Sequence, residues 1–148
     1  MKNILLFIAL IVILVTSYIF LNYQNKKNPL ATINNHTFNL EIVTSQKDQE
    51  TGLSKYSNIS NDFGMLFPFE KEGNYSFWMK DMKFPIDIIF IRKNKIIKIF
   101  NNVPYPKSDN GELPIYSPGG LSDMVLEINA GLSERYKFKN GDWVDIKL

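Results

Sequence analysis

Cysteine is absent from the 148 residues. That excludes disulfides, thiol catalysis, thiolate metal sites and a lipid anchor on an acylated cysteine. Histidine occurs once, at His36, so a Ser-His-Asp triad has only that residue to be built around. His36 sits beside a turn with no nucleophile motif near it, which points to a packing or surface role. Without cysteine or a second histidine, zinc would need mostly carboxylate ligands, an unusual set. No metal and no cofactor is expected. The chain also lacks a block of like charge. Lys2, Lys26 and Lys27 lie ahead of residue 31, leaving 14 basic against 15 acidic side chains in the remainder, a net charge of −1. That is not the electrostatic footprint of a nucleic-acid binder. No repeat and no low-complexity segment interrupts the chain.

What is present first is an apolar head. Ile4 to Leu21 are eighteen consecutive uncharged residues, which as a helix span about 27 Å, close to the thickness of a bilayer's hydrocarbon core. Tyr18 and Tyr23 stand near one end, as in an aromatic belt. A cleaved signal peptide is the competing reading, but its apolar stretch is usually shorter, and no small-x-small site follows Leu21. The expectation is therefore a signal anchor over residues 1–22, a linker over 23–30 and one globular domain over 31–148. The membrane is the partner of the head, and the domain is placed on the extracytoplasmic side of the cell membrane.

The domain reads as many short strands. Ala31–Ile33 and His36–Val43 form a hairpin around Asn34-Asn35, with Phe38, Leu40 and Ile42 alternating with polar residues. Ser45 to Asp48 carries a capping-box pattern, so a short helix should start there and run to about Tyr56. Gly52 inside it costs about 1 kcal/mol relative to Ala, which suggests close contact with another backbone. Further strands are expected at Met65–Phe67 (stopped by Pro68, with a turn over Glu70–Asn74), Ser76–Lys80, Ile86–Ile91, Ile96–Phe100, Met124–Asn129 and Trp143–Leu148, with a helical turn at Leu132–Tyr136. With no βαβ alternation, the expected fold is a β-dominated α+β domain. It would hold a single compact, mostly antiparallel sheet or barrel-like body with one or two short helices, behind an N-terminal transmembrane helix.

Chemistry concentrates in Ser76–Lys80 and Phe84–Ile91, where an ammonium and a carboxylate interrupt apolar strands. Burying an unpaired charge is expensive, so Lys80 and Asp87 should pair or line a cavity. Trp78 and Lys80 share one face of their strand, and Glu127 interrupts a third. One reading makes Trp78, Lys80, Asp87 and Glu127 a ligand pocket with an aromatic wall, an anion anchor and two acceptors. The purely structural alternative is a buried ion-pair network that fixes strand register. Tyr105 and Tyr116 in the proline-rich loop offer a sugar or peptide platform, or simply pack over the sheet edge. Ser108–Glu112 offers oxygen ligands for calcium but is too short for an EF-hand loop and reads as a turn. With no nucleophile, metal cluster or cofactor loop in view, the first functional reading is a non-catalytic binding or accessory module for a small-molecule or cell-envelope ligand. The alternative is a hydrolase acting on envelope carbohydrate through Asp87 and Glu127.

Read in order, GMLFPF (Gly64–Phe69), SFWMKDM (Ser76–Met82), FPIDIIF (Phe84–Phe90), VLEINAG (Val125–Gly131) and NGDWV (Asn140–Val144) resemble the uncharacterised protein family 0127, also called domain of unknown function 192. The resemblance covers Ile33 to Leu148. It implies a small exported or membrane-tethered domain with a compact mixed β fold, found in bacteria and archaea, and no established activity. Two features depart from the family pattern. The helix motif Glu-Arg-x-x-Gly-Leu-Met is here Asp48 to Ser54 without its arginines and its methionine, and the Asn after Trp-Met-Lys is here Asp81.

Overall fold

A computed structural model describes residues 2–24, 28–106 and 113–148 of the protein. The Ser108–Glu112 turn and the Lys26-Lys27 pair of the linker lie outside them. Nine strands and three short or isolated helices are described: α1 (Lys2–Gln24), β1 (Leu30–Ile33), β2 (His36–Ile42), α2 (Gln46–Thr51, continued by a 3-10 turn over Gly52–Lys55), β3 (Phe63–Gly73), β4 (Phe77–Trp78), β5 (Ile86–Arg92), β6 (Lys95–Val103), β7 (Ile115–Tyr116), β8 (Ser122–Asn129), α3 (Leu132–Arg135) and β9 (Val144–Lys147). The main sheet runs β6-β5-β8-β3-β2-β1-β9, and β4 pairs with β7 in a small flap. The sheet curls into a half-barrel until its two edge strands touch at Lys95 and Trp143. The fold is a β-dominated α+β domain.

Turn chemistry sets the hairpins. Asn34 and Asn35 hold φ of +46° and +68°, and Lys93 and Asn94 hold +49° and +59°. These are two-residue turns in the left-handed region, which matches the right-handed twist of the flanking strands and which Asn tolerates better than other side chains. Ser45 caps α2 as its sequence indicated, accepting a hydrogen bond from the Asp48 N–H at 3.2 Å.

Three expectations are corrected. β2 and β3 run parallel, with Asn39 opposite Phe63. The chain therefore contains one βαβ-like crossover through α2, because a parallel neighbour cannot be reached by a tight turn. Pro68 does not stop its strand: β3 continues to Gly73 through the stretch read as a turn. Beyond Leu66 β3 has lost its β2 neighbour, and its register against β8 shifts just after Pro68. A free edge and a bulge are the two places where a strand tolerates a missing N–H. Third, among the described residues no helix is long and apolar enough to cross a membrane. The side chains from Leu6 to Phe20 are all exposed.

Both faces of the central sheet are covered, which is why β5 is apolar at nearly every position. One face packs Phe38, Leu66, Ile89, Ile91, Leu126 and Ile128 against Leu132 and Phe138. The other packs Met65, Phe67, Ile88, Phe90 and Val125 beneath Leu53, Met79, Met82 and Phe84. Gly64 is required between the strands. A Cβ there would lie 2.9 Å from the Leu126 side chain and 3.3 Å from that of Ile128.

Candidate functional site

The register between β5 and β8 decides which polar side chains meet. Asp87 stands opposite Ile128, and Ile88 opposite Glu127. Directly opposed residues share a face and neighbours in sequence do not. Asp87 and Glu127 therefore point to opposite faces of the sheet.

Asp87 is fully buried and closed off by backbone. Its Oδ1 accepts from the N–H of Asn102 at 2.8 Å and of Gly131 at 2.9 Å, and its Oδ2 from the N–H of Ser133 at 2.7 Å. Asn102 and Gly131 both hold positive φ, +51° and +78°. The carboxylate thus pins an irregular point of β6 to the start of α3. It is a structural clamp, and its expected place beside Lys80 in a pocket is corrected.

Glu127 is the opposite case. It is 4% exposed, and no hydrogen bond or ion pair among the described residues reaches its carboxyl group. Burial alone pushes its pKa up to about 8. A buried carboxyl in this state carries a proton at neutral pH and has hydrogen-bonding capacity with no protein partner.

The group opens into a cavity of about 210 Å³. The sheet supplies Glu127 and Phe67, α2 supplies Gln46, Gln49 and Glu50, and the segment after β3 supplies Tyr75, Phe77, Trp78, Lys80 and Met82. The aromatic wall is braced from behind. Phe77 meets Phe67 edge-on at 5.1 Å and Phe90 at 5.8 Å, while Phe69 stacks on Tyr75 at 3.5 Å. Gly52 (φ +49°) passes directly over the acid, since a Cβ there would lie 3.6 Å from Phe67 Cζ and 4.0 Å from Glu127 Oε2. The close contact expected of this glycine is thus with two side chains, not with backbone.

Trp78 is half-exposed at the mouth, with Lys80 Nζ 5.9 Å from its ring centroid. Among the described residues Lys80 makes no ion pair. Among the described residues Lys80, Asp87 and Glu127 form no ion-pair network, and Trp78 is not buried. From the mouth a second groove, of about 580 Å³, continues between α2 and Asp81, lined by Lys47, Thr51 and Ser54. Of the four residues singled out by sequence, Trp78, Lys80 and Glu127 line one cavity and Asp87 does not.

Sequence reasoning missed the contribution of α2 and of Phe67, Phe69 and Tyr75. The signal for α2 was the glycine inside a helical pattern, which marks a close approach. His36 stacks on Tyr136 at 3.7 Å, a packing role. Tyr116 packs edge-on against Phe100 at 5.3 Å, so it covers the sheet. Among the described residues no group of three or more His, Cys, Asp or Glu is arranged to hold a metal ion.

A family model described as DUF192, Uncharacterized ACR, COG1430, matches residues 30–146. No curated protein matches the chain. Among solved structures, a protein of unknown function from Novosphingobium aromaticivorans is similar at 29% identity and a TM-score of 0.67, over 80% of this chain and 83% of that one. A Sinorhizobium meliloti protein, described only as a candidate transcription regulator, is similar at 27% identity and a TM-score of 0.71, over 80% of this chain and 92% of that one.

Proposed function

Since the chain belongs to the DUF192 family, in which no activity is established, we propose from its own geometry that it is a non-catalytic binding module for a small cell-envelope ligand. One observation carries this reading: a buried, partnerless Glu127 opens into an aromatic-walled cavity. A carboxyl group with no protein partner that faces a cavity keeps its hydrogen-bonding capacity for whatever enters it. Asp87, by contrast, is satisfied by three backbone N–H groups, and the open capacity of Glu127 supports a site completed by a ligand. Concave, mostly apolar pockets with a few convergent polar groups are the usual form of such sites.

The module is held at the membrane by its apolar head, with the domain on the extracytoplasmic side. Support comes from the apolar side chains of α1, among them Ile4, Leu6, Phe7 and Phe20, each more than half exposed. Exposed apolar surface on this scale marks an interaction surface. The transcription regulation named for the Sinorhizobium protein would, if it required direct nucleic-acid binding, have no electrostatic support in a domain of net charge −1. Hydrolysis through Asp87 and Glu127 lacks its geometry, because the two carboxylates lie on opposite faces. The second carboxylate at this cavity is Glu50.

The test is to incubate the full-length chain in detergent with soluble envelope fragments and to read binding and turnover separately. Binding lost in Glu127→Gln and in Trp78→Ala, with no turnover, is the expected result. Turnover that disappears in Glu127→Gln would replace the binding reading with a hydrolase built on Glu127 and Glu50. Binding indifferent to both changes would place the site elsewhere. Flotation with liposomes checks the tether: the full chain should float and a chain lacking residues 1–24 should not.

A further inference from the structure

The cavity's chemistry narrows the class of ligand. At about 210 Å³ it is smaller than the roughly 300–1,000 Å³ of ordinary ligand pockets, so it holds a head group, not a whole oligomer. Glu50 and the Lys80 at the mouth offset one another, while Glu127, protonated in the free cavity, can release its proton and gain the charge that an incoming cation would pair with. The faces of Phe, Tyr and Trp rings carry negative potential and attract cations. The mouth already shows the arrangement, since the Lys80 ammonium lies against the Trp78 ring at 5.9 Å.

We propose that the pocket takes the ammonium head of a small organic amine, seated among Tyr75, Phe77 and Trp78 and paired with the Glu127 carboxylate, while the rest of the molecule follows the groove toward Asp81. This rests on the binding reading above and names its ligand class. Binding is then coupled to a proton. Free Glu127 is protonated at neutral pH because burial raises its pKa. Arrival of the ammonium leaves an ion pair and sends one proton to solvent. The other titratable groups at the cavity are Glu50 on α2 and Tyr75 and Lys80 on the segment after β3. The sheet contributes none besides Glu127.

The experiment is calorimetry on the full chain in detergent micelles. The probes are choline and butylammonium, each against the uncharged isostere in which carbon replaces the nitrogen. At least one cation should bind about tenfold or more tighter than its isostere. That affinity should rise toward about tenfold per pH unit between about pH 6 and pH 8, as deprotonation of Glu127 ceases to oppose binding. Glu127→Gln should abolish both the preference and the pH slope. Trp78→Ala, a change at a half-exposed side chain that spares the fold, should weaken the cation. Equal binding of cation and isostere, or a cation preference that survives Glu127→Gln, overturns the inference. If neither cation binds but an uncharged envelope fragment does so in a Glu127-dependent way, the amine is wrong and the binding module stands. If nothing binds, both fail.

Discussion

Replacing Glu127 by Gln removes the ionisable proton and keeps the shape, so its effect on stability should depend on pH in a defined way. Burial holds this carboxyl near pKa 8 in the folded state, against an ordinary value of 4.5. Between those values the folded chain keeps a proton that the unfolded chain has released, so wild-type stability falls as pH rises through the window. It is flat with respect to this group below about 4.5 and again above about 8. At 1.36 kcal/mol per unit, the full loss is about 4–5 kcal/mol, with about 3 kcal/mol already lost at pH 7. The Gln variant lacks this loss. The two proteins should be about equally stable near pH 4.5, and the variant should be more stable by about 3 kcal/mol at pH 7. Urea unfolding of the full chain in a mild detergent, followed by the fluorescence of Trp78 and Trp143 across the pH series, reads this difference directly. A gap that does not change with pH, or a variant that is less stable throughout, would refute the claim that Glu127 is buried without a partner. A stabilising loss of a charged group is the pattern expected where function, not folding, requires the residue.

Asp87→Ala should do the reverse. It strands three backbone N–H groups, so a loss of about 3–5 kcal/mol is expected in the same unfolding assay, with no change in ligand affinity in whatever fraction stays folded. Lys80→Met should cost about 1 kcal/mol or less, since the ammonium is exposed and without an ion pair; a loss near that of Asp87→Ala would mean that Lys80 balances a buried charge. Gly52→Ala should cost about 1–2 kcal/mol from the left-handed backbone. Its methyl group over Glu127 should also weaken any pocket ligand, a change visible in a binding isotherm.

The hairpin turns, the cap on α2 and the apolar β5 were legible because each is encoded within a few residues. The parallel pairing of β2 and β3 was not, since a crossover's partner is fixed by tertiary packing. Nor was the continuation of β3 past Pro68, which depends on a neighbour that ends at Leu66. For the site, strand alternation puts Asp87 on one face with Ile89 and Ile91, and Glu127 on one with Val125. Whether those two faces coincide depends on the β5–β8 register, and a slip of one residue would have reversed the answer. Lys80 and Trp78 reached the cavity by a different route from strand alternation: β4 ends at Trp78, and Asp81 turns the chain with φ +58°. Gly52 signalled a close approach, but nothing local reveals that it brings α2 over an acid.

The most direct test of a partnerless acid on a ligand pocket is carbon NMR of the Glu127 carboxyl group across a pH titration, in the free chain and with an envelope fragment that binds. The account predicts an inflection near 8 in the free protein and a displaced resonance with ligand. An inflection at the ordinary carboxylate value, or a resonance indifferent to every bound ligand, would contradict it.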